Sequence, residues 1–287
     1  MRKLSREPPQ LPLVSGERPM TFGTETLKLI DQVVEASGRF GGESLIVLSG
    51  VAGTGKTLIA LAAAQRLSGH PLFVKQIQFH QAYSYEDFVE GLRPSPSGGF
   101  SVRDGIFVHW NDAALRDPGN KYVLLIEEFT RTNISAVLGE LMTYVEHRNR
   151  EFELPISRRS MRVAHNLVFM STMNPQDRSA LEVDDALLRR LRIIECPPSV
   201  SQLREMLTGR MAAGLIDAVA KMFEECGKIF PDFNEMMPFG HGMFAGVTDE
   251  AGLRALWHQR IKHLLRRSAQ VPAHPFAKTI DSLYPWK

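Results

Sequence analysis

The sequence predicts an α/β fold: a phosphate-loop core on a five-stranded parallel sheet, followed by a small all-helical domain. Three observations predict it. Short apolar runs alternate with helical stretches from residue 44 to residue 196, the pattern of a mostly parallel sheet with helices on both faces. A glycine loop, Gly50-Val51-Ala52-Gly53-Thr54-Gly55-Lys56-Thr57, stands between the first apolar run and the helix after it. Past Pro197 and Pro198 no good strand remains, only helical stretches.

Residues 1–20 carry four prolines and little periodicity and read as an arm. Thr24–Ala36 is helical, with Leu27, Ile30, Val33 and Val34 on one face. Ser44–Ser49 is a buried strand and Leu58–Leu67 a helix rich in helix formers. Phe73–Phe79 is a second strand. Residues 93–105 hold Pro94, Pro96, Gly98, Gly99 and Gly105 and read as a loop. Ile106–Leu115 is a helix, Tyr122–Ile126 a third strand and Ile134–His147 an amphipathic helix. Leu167–Ser171 and Ile193–Cys196 are strands four and five, with a helix at Asp184–Leu191 between them. The helical domain contains Ser201–Leu207, Leu215–Phe223 and Glu250–Leu265. The expected division is an arm at 1–20, a nucleotide-binding core at 21–198, and a helical lid with a tail at 199–287.

Composition narrows the class. The 287 residues are 44% hydrophobic and 23% charged, as in soluble globular proteins. No apolar run approaches the roughly 18–20 residues of a membrane-spanning helix. The first residues lack the apolar segment of a secretory signal, so the expected location is cytoplasmic, with no membrane partner. Two cysteines, Cys196 and Cys226, are too few for a disulfide framework or a four-cysteine zinc site. A net charge of +2 argues against nucleic-acid binding by bulk electrostatics.

The glycine loop fits G-x-x-x-x-G-K-[ST] in the strand-to-helix context that gives the motif meaning. Its glycines let backbone N–H groups turn inward on phosphate oxygens, and the helix opening at Lys56-Thr57-Leu58 adds its positive end. Lys56 then serves the β- and γ-phosphates, and the Thr57 hydroxyl serves Mg²⁺. A loop of this kind needs an acid at the end of a neighbouring strand. Glu127 and Glu128 follow Tyr122–Ile126: the first to hold the metal, the second to polarise the attacking water. Asn174 follows the fourth strand, as a turn residue or as a ligand of that water. Arg189 and Arg190 follow a short helix, either as a solvated basic helix end or as donors to a neighbouring subunit's phosphates.

Several stretches together resemble the McrB family of AAA+ NTPases, which drive modification-dependent restriction systems. They are QFHQAYSYEDFVEGLRP (Gln78–Pro94), RDGIFVHWNDAA (Arg103–Ala114), the phosphate loop, LLIEEFTRTNISAVLGELMTYVEH (Leu124–His147), NLVFMSTMNPQDRS (Asn166–Ser179), DDALLRRL (Asp184–Leu191) and PFGHGMFAG (Pro238–Gly246). LRALWHQRIKHLL (Leu253–Leu265) is similar to the family's last lid helix. The resemblance implies an AAA+ core with a helical lid, assembly into a homo-oligomeric ring, usually a hexamer, and hydrolysis of ATP or GTP with Mg²⁺ at subunit interfaces. It implies Lys56 and Thr57 for phosphate and metal, Glu128 as the catalytic acid and Asn174 as the sensor. Arg189 and Arg190 become the pair offered in trans, and Asp177 and Arg178 the Asp-Arg that follows the sensor. Glu127 replaces the family's Asp, Thr130 its Asn, and Leu188 a third Arg. Pro175-Gln176 and Gly242-Met243 also depart from the family pattern.

No nuclease constellation is evident in the sequence, so the resemblance implies a partner subunit, McrC-like or another effector, that supplies the nuclease and any DNA contact. Two other readings compete: a MoxR-type AAA+ chaperone acting on a protein client, and a nucleotide-gated scaffold with little turnover, which Glu127 motivates. His80 and Tyr83–Tyr85 suit an interface, a pore or ordinary packing. Phe107 and Trp110 read as core or interface, and Arg158, Arg159 and Arg162 as a solvated hairpin rather than a pore loop. Cys196 reads as a small buried hydrophobe, and His241 as structural or nucleotide-facing.

Overall fold

Five strands form the central sheet of the computed structural model, which describes residues 22–39, 45–96, 98–177, 185–228, 230, 237–269 and 280–284. They are β1 (Leu45–Ser49), β2 (Val74–Gln78), β5 (Tyr122–Glu127), β8 (Leu167–Met173) and β9 (Leu191–Glu195), in the order β2-β5-β8-β1-β9. The pairs β2·β5, β5·β8 and β1·β8 are parallel. β1 is buried at every residue and β8 at all but Met173. Strands covered on both faces read as continuous apolar runs rather than alternating ones, which is why β1, β5 and β8 were legible; the outer strands β2 and β9 are largely half-buried or exposed. Register aligns their carboxyl ends: Ser49 faces Met173, Ile126 faces Ser171, and Gln78 faces Glu127.

The chain divides into two compact units. Leu29–Ser49 and Thr57–Ile194 belong to the first; Phe22–Lys28, Gly50–Lys56 and Glu195 onward belong to the second. Helices α1 (Thr24–Arg39) and α2 (Lys56–Ser68) flank β1 in sequence. In the first unit, Phe88, Phe107 and Phe169 stack in series with centroids 5.8 and 5.9 Å apart. Phe107 is fully buried in the core, and half-buried Trp110 packs against it on Tyr122. Arg148 is buried and donates through Nε and Nη1 to the carbonyls of Val145, Ala164 and Leu167.

Two hairpins interrupt the α/β alternation. The segment expected as a loop over residues 93–105 is instead the turn and second strand of a hairpin, β3 (Glu90–Pro94) with β4 (Phe100–Asp104). Pro96, Gly98 and Gly99 lie in the turn, while Pro94 ends β3 and Gly105 follows β4. Its apolar residues Leu92, Phe100 and Val102 are exposed, so no buried face marked the strands. A shorter hairpin pairs β6 (Phe152–Glu153) with β7 (Ser160–Met161). Buried Glu90 joins the two, accepting from the N–H groups of Ile156 and Ser157 at 2.7 and 3.1 Å. Arg158 is exposed and pairs with Glu153, while Arg159 pairs with Asp104.

The helix expected over Ile134–His147 is broken into α5 (Ile134–Leu138) and α6 (Leu141–Tyr144). Gly139 lies between them at φ +51°, and a side chain there would meet the Tyr85 ring at 2.9 Å. Tyr85, in the one-turn helix α3 (Tyr85–Phe88), donates its hydroxyl to Glu140 at 2.6 Å.

The second unit contains α8 (Val200–Leu207) and α9 (Ala213–Lys228). The helix expected over Glu250–Leu265 is interrupted by a π turn at Trp257–Ile261 and resumes as Lys262–Ala269. Its core includes Leu203, Phe223, Phe239, Phe244 and Trp257. Burial pushes the Cys196 and Cys226 thiols up to about 12, as inert packing residues. No helix of the described residues is long and apolar enough to cross a membrane.

Ser199 caps α8, accepting from Gln202 N, and donates its hydroxyl to Glu25 at 2.6 Å. Its N–H donates to His241 Nδ1 at 3.4 Å, which requires an unprotonated Nδ1. Burial pushes the imidazole down from the ordinary 6.5 to about 4, against the pull of Glu25. Between these values the unfolded chain binds the proton and the folded chain does not, so stability falls as pH drops through that window. The expected loss is about 3 kcal/mol from pH 6.5 to 4. Urea melts across this range should show it, and His241→Asn, which keeps an acceptor without a titrating ring, should flatten the slope.

Candidate active site

In the second unit, the loop at Gly50–Lys56 is shaped by two glycines in left-handed backbone, Gly53 and Gly55, both at φ +82°. Val51 is buried, and its carbonyl accepts from the Thr54 hydroxyl at 3.1 Å and from Lys56 Nζ at 2.9 Å. Lys56 is thus folded back across its own loop. A side chain at Gly50 would run into the carbonyl of Cys196. Gly240 N donates to Ala52 O, and Gly242 N to Gly53 O. From Lys56 the chain enters α2, which has no acid in its first turn, leaving the positive helix end uncompensated by its own side chains. Leu58 is half-buried in that turn, ahead of buried Ile59 and Ala60.

In the first unit, the Thr57 hydroxyl donates to Glu127 Oε2 at 2.7 Å. The other carboxylate oxygen, Oε1, accepts from the side-chain amide of Gln76 on β2. Thr57 and Glu127 are hard oxygen donors of the kind Mg²⁺ takes, with its other positions going to water and phosphate oxygens. Among the described residues no cluster of three or more His, Cys, Asp or Glu could hold a metal.

Glu128 is in left-handed backbone, φ 53° and ψ 45°, a conformation that costs a non-glycine residue roughly 1–3 kcal/mol. Its N–H donates to Thr172 Oγ1 at 3.3 Å. Arg131 Nε donates to Glu128 Oε2 at 3.1 Å and also lies 3.1 Å from Asp177 Oδ2, an electrostatic contact without directed hydrogen-bond geometry. Thr130, where the resembling family carries Asn, is buried, and its hydroxyl has no partner among the described residues.

Asn174 directly follows β8, on the edge where β5 ends in Glu127. Its Oδ1 accepts from Gln176 N at 3.1 Å, which makes it a turn residue in this state. Arg178 lies outside the described residues. The arginine pair is elsewhere. The carbonyl of Arg190 accepts from Leu45 N at the start of β1, about 13 Å from the strand's far end at 3.3 Å per residue. Arg190 pairs with Glu146 at 2.9 Å and is mostly buried, whereas Arg189 is exposed. Sequence reasoning missed Gln76 and Arg131, and gave Gly240 and Gly242 no part in the loop.

A family model described as AAA domain (dynein-related subfamily) matches residues 45–191, from β1 through both acids and Asn174 to the arginine pair. The EcoKMcrB subunit of the type IV methyl-directed restriction enzyme of Escherichia coli (strain K12) is 34% identical over 233 residues, covering 75% of this chain and 50% of that protein. Component YdiS of the type II restriction enzyme BsuMI of Bacillus subtilis (strain 168) is 23% identical over 186 residues, covering 50% of this chain and 54% of that protein. The chain spans about half the length of these curated relatives. With the loop, the paired acids and the sheet that carries them, the chain belongs to the AAA family, in its dynein-related subfamily and the McrB branch of AAA+ proteins.

Proposed function

We propose that this chain is the nucleoside-triphosphate-hydrolysing subunit of a ring motor in a cytoplasmic restriction system, working with an McrC-like or other effector subunit. The observation that carries the proposal is the Thr57–Glu127 hydrogen bond, with Glu128 next in sequence. The longer Glu127 reaches the threonine that an Asp would reach, so the departure from the family's Asp does not remove the metal-side contact. The 21–198 core and the 199–287 lid are the parts of this motor, and DNA is reached through the partner.

In the proposed reaction the loop N–H groups and Lys56 hold the phosphates, and Lys56 must first leave the Val51 carbonyl. Bound Mg²⁺ would neutralise charge on the β- and γ-phosphate oxygens. Glu128 takes the proton of the attacking water. Arg131 keeps its carboxylate from swinging into solvent. Asn174, released from its turn contact, orients the water.

Arg189 and Arg190 lie a strand's length from the Glu127 end of the sheet and are assigned to the neighbouring subunit's nucleotide. That places the active sites between copies and supports a ring, for which the hexamer is the expected size.

Phosphate release from ATP and from GTP, followed across protein concentration with Mg²⁺, tests this function. Turnover per chain should rise steeply with concentration and fall about 10²–10⁴-fold in Glu128→Gln. Retained nucleotide binding without turnover in the parent chain is the outcome a nucleotide-gated scaffold gives, and it would overturn the motor. Replacing Arg189 and Arg190 together by alanine should cost about 10³–10⁵ in rate and leave nucleotide affinity nearly unchanged. An equal loss of affinity, measured by equilibrium titration, would refute the assignment in trans.

A further inference from the structure

The stretch Pro238–Gly246 takes no part in the phosphate chemistry above, yet two of its glycines grip the phosphate loop. Gly240 N donates to Ala52 O at 2.7 Å, and Gly242 N donates to Gly53 O at 2.7 Å. All four residues belong to the second unit. In a trans peptide the carbonyl and the following N–H point in opposite directions. Holding Ala52 O against Gly240 therefore turns the Gly53 N–H to the far side. Holding Gly53 O against Gly242 does the same for the Thr54 N–H. Successive N–H groups turned to one side make an anion-binding concavity. Among the described residues neither N–H meets an acceptor.

Sterics restrict the contact to glycine. A Cβ on Gly240 would lie 2.5 Å from the carbonyl carbon and oxygen of Gly53 and 2.6 Å from the Thr54 methyl. On Gly242 it would lie 2.8 Å from Gly53 O. Gly53 is at φ +82°, with Met243 Cγ 3.1 Å from where its own Cβ would stand. Between the two donors, buried His241 accepts from Ser199 N and anchors the turn to the start of α8.

The geometry points to Gly240 and Gly242 as positioning residues for nucleotide binding: their N–H groups hold the Ala52–Gly53 and Gly53–Thr54 peptides so that the next N–H groups face the phosphates of a nucleoside triphosphate. The inference deepens the proposed function and rests on it for the identity of the ligand. It also makes phosphate binding and the seating of this turn one equilibrium, each favouring the other.

Hydrogen–deuterium exchange on the nucleotide-free chain reads the contact directly. The Gly240 and Gly242 amides should exchange at least about tenfold more slowly than exposed turn amides, and fast exchange overturns the inference. Titration with fluorescent ATP and GTP analogues plus Mg²⁺ reads the consequence. Gly240→Ala should raise Kd about tenfold or more. Gly214→Ala, whose methyl meets nothing within 4 Å, should leave it within about twofold. A Gly240→Ala chain that folds cooperatively and binds as tightly as the parent overturns this inference alone. A parent that binds neither nucleotide overturns it together with the proposed function. If Gly240→Ala fails to fold, Gly242→Ala, which meets a single carbonyl oxygen, is read by the same two outcomes.

Discussion

The hydrogen bond from the Thr57 hydroxyl to Glu127 fixes the first turn of α2 against the carboxyl end of β5. Most of the candidate chemistry depends on that constraint. It requires β1 and β5 to end at the same level, which the register through β8 provides. It also requires a carboxylate long enough to reach across, and Glu127 has one. A longer side chain has more rotamers to lose, and Gln76 offsets this by holding the second oxygen. With both oxygens engaged, the extra methylene that distinguishes Glu from Asp becomes reach rather than freedom.

Next along the chain, the backbone turns sharply into the left-handed region at Glu128. That conformation is unfavourable for a side-chain-bearing residue and persists only where its surroundings over-determine it. Here they do: Thr172 takes its N–H, Arg131 takes its carboxylate, and Phe129 is buried immediately after. The effect is to present the carboxylate at the sheet edge instead of continuing the strand. Arg131 has a second anion, Asp177, within 3.1 Å, so one guanidinium links the acid after β5 to the turn after β8. A cation shared by two acids lowers their mutual repulsion.

The sheet was legible because burial on both faces writes itself into consecutive apolar residues, as in Leu45–Leu48 and Val123–Ile126. The chemistry of the loop and its acids was legible because phosphate binding restricts residue type at fixed spacing. The hairpin of β3 and β4 was not: Leu92 and Val102 face outward, so no alternation separated an inside from an outside. Nor was the break at Gly139, where Tyr85, more than fifty residues upstream, occupies the space of a side chain. Gln76 and Arg131 belong to the same class. Each is an ordinary polar residue in sequence and becomes informative only when strand pairing or a tight turn brings it to an acid.

Two edges of one sheet carry different parts of the proposed reaction. Glu127, Glu128 and Asn174 gather at the carboxyl ends of β5 and β8, while Arg189 and Arg190 precede β9 beside the start of β1. Under the proposed function this separation is what assigns the pair to a neighbouring copy's phosphates. Arg190 is further tied down by Glu146 and by the Ala186 carbonyl, so it serves as a brace, whereas Arg189 is exposed and projects from that brace. In this state Arg190 holds the turn and Arg189 is exposed; under the proposed function both serve the neighbour's nucleotide, Arg190 once released from Glu146. Under the proposed function, completing a site requires a second copy whose Arg189 edge meets the first copy's Glu127 edge. These edges are different surfaces, so that contact would be heterologous, giving a ring where the rotation between copies closes and a filament where it does not. Such a contact is, under the proposed function, the kind from which a ring can be built without any symmetric interface.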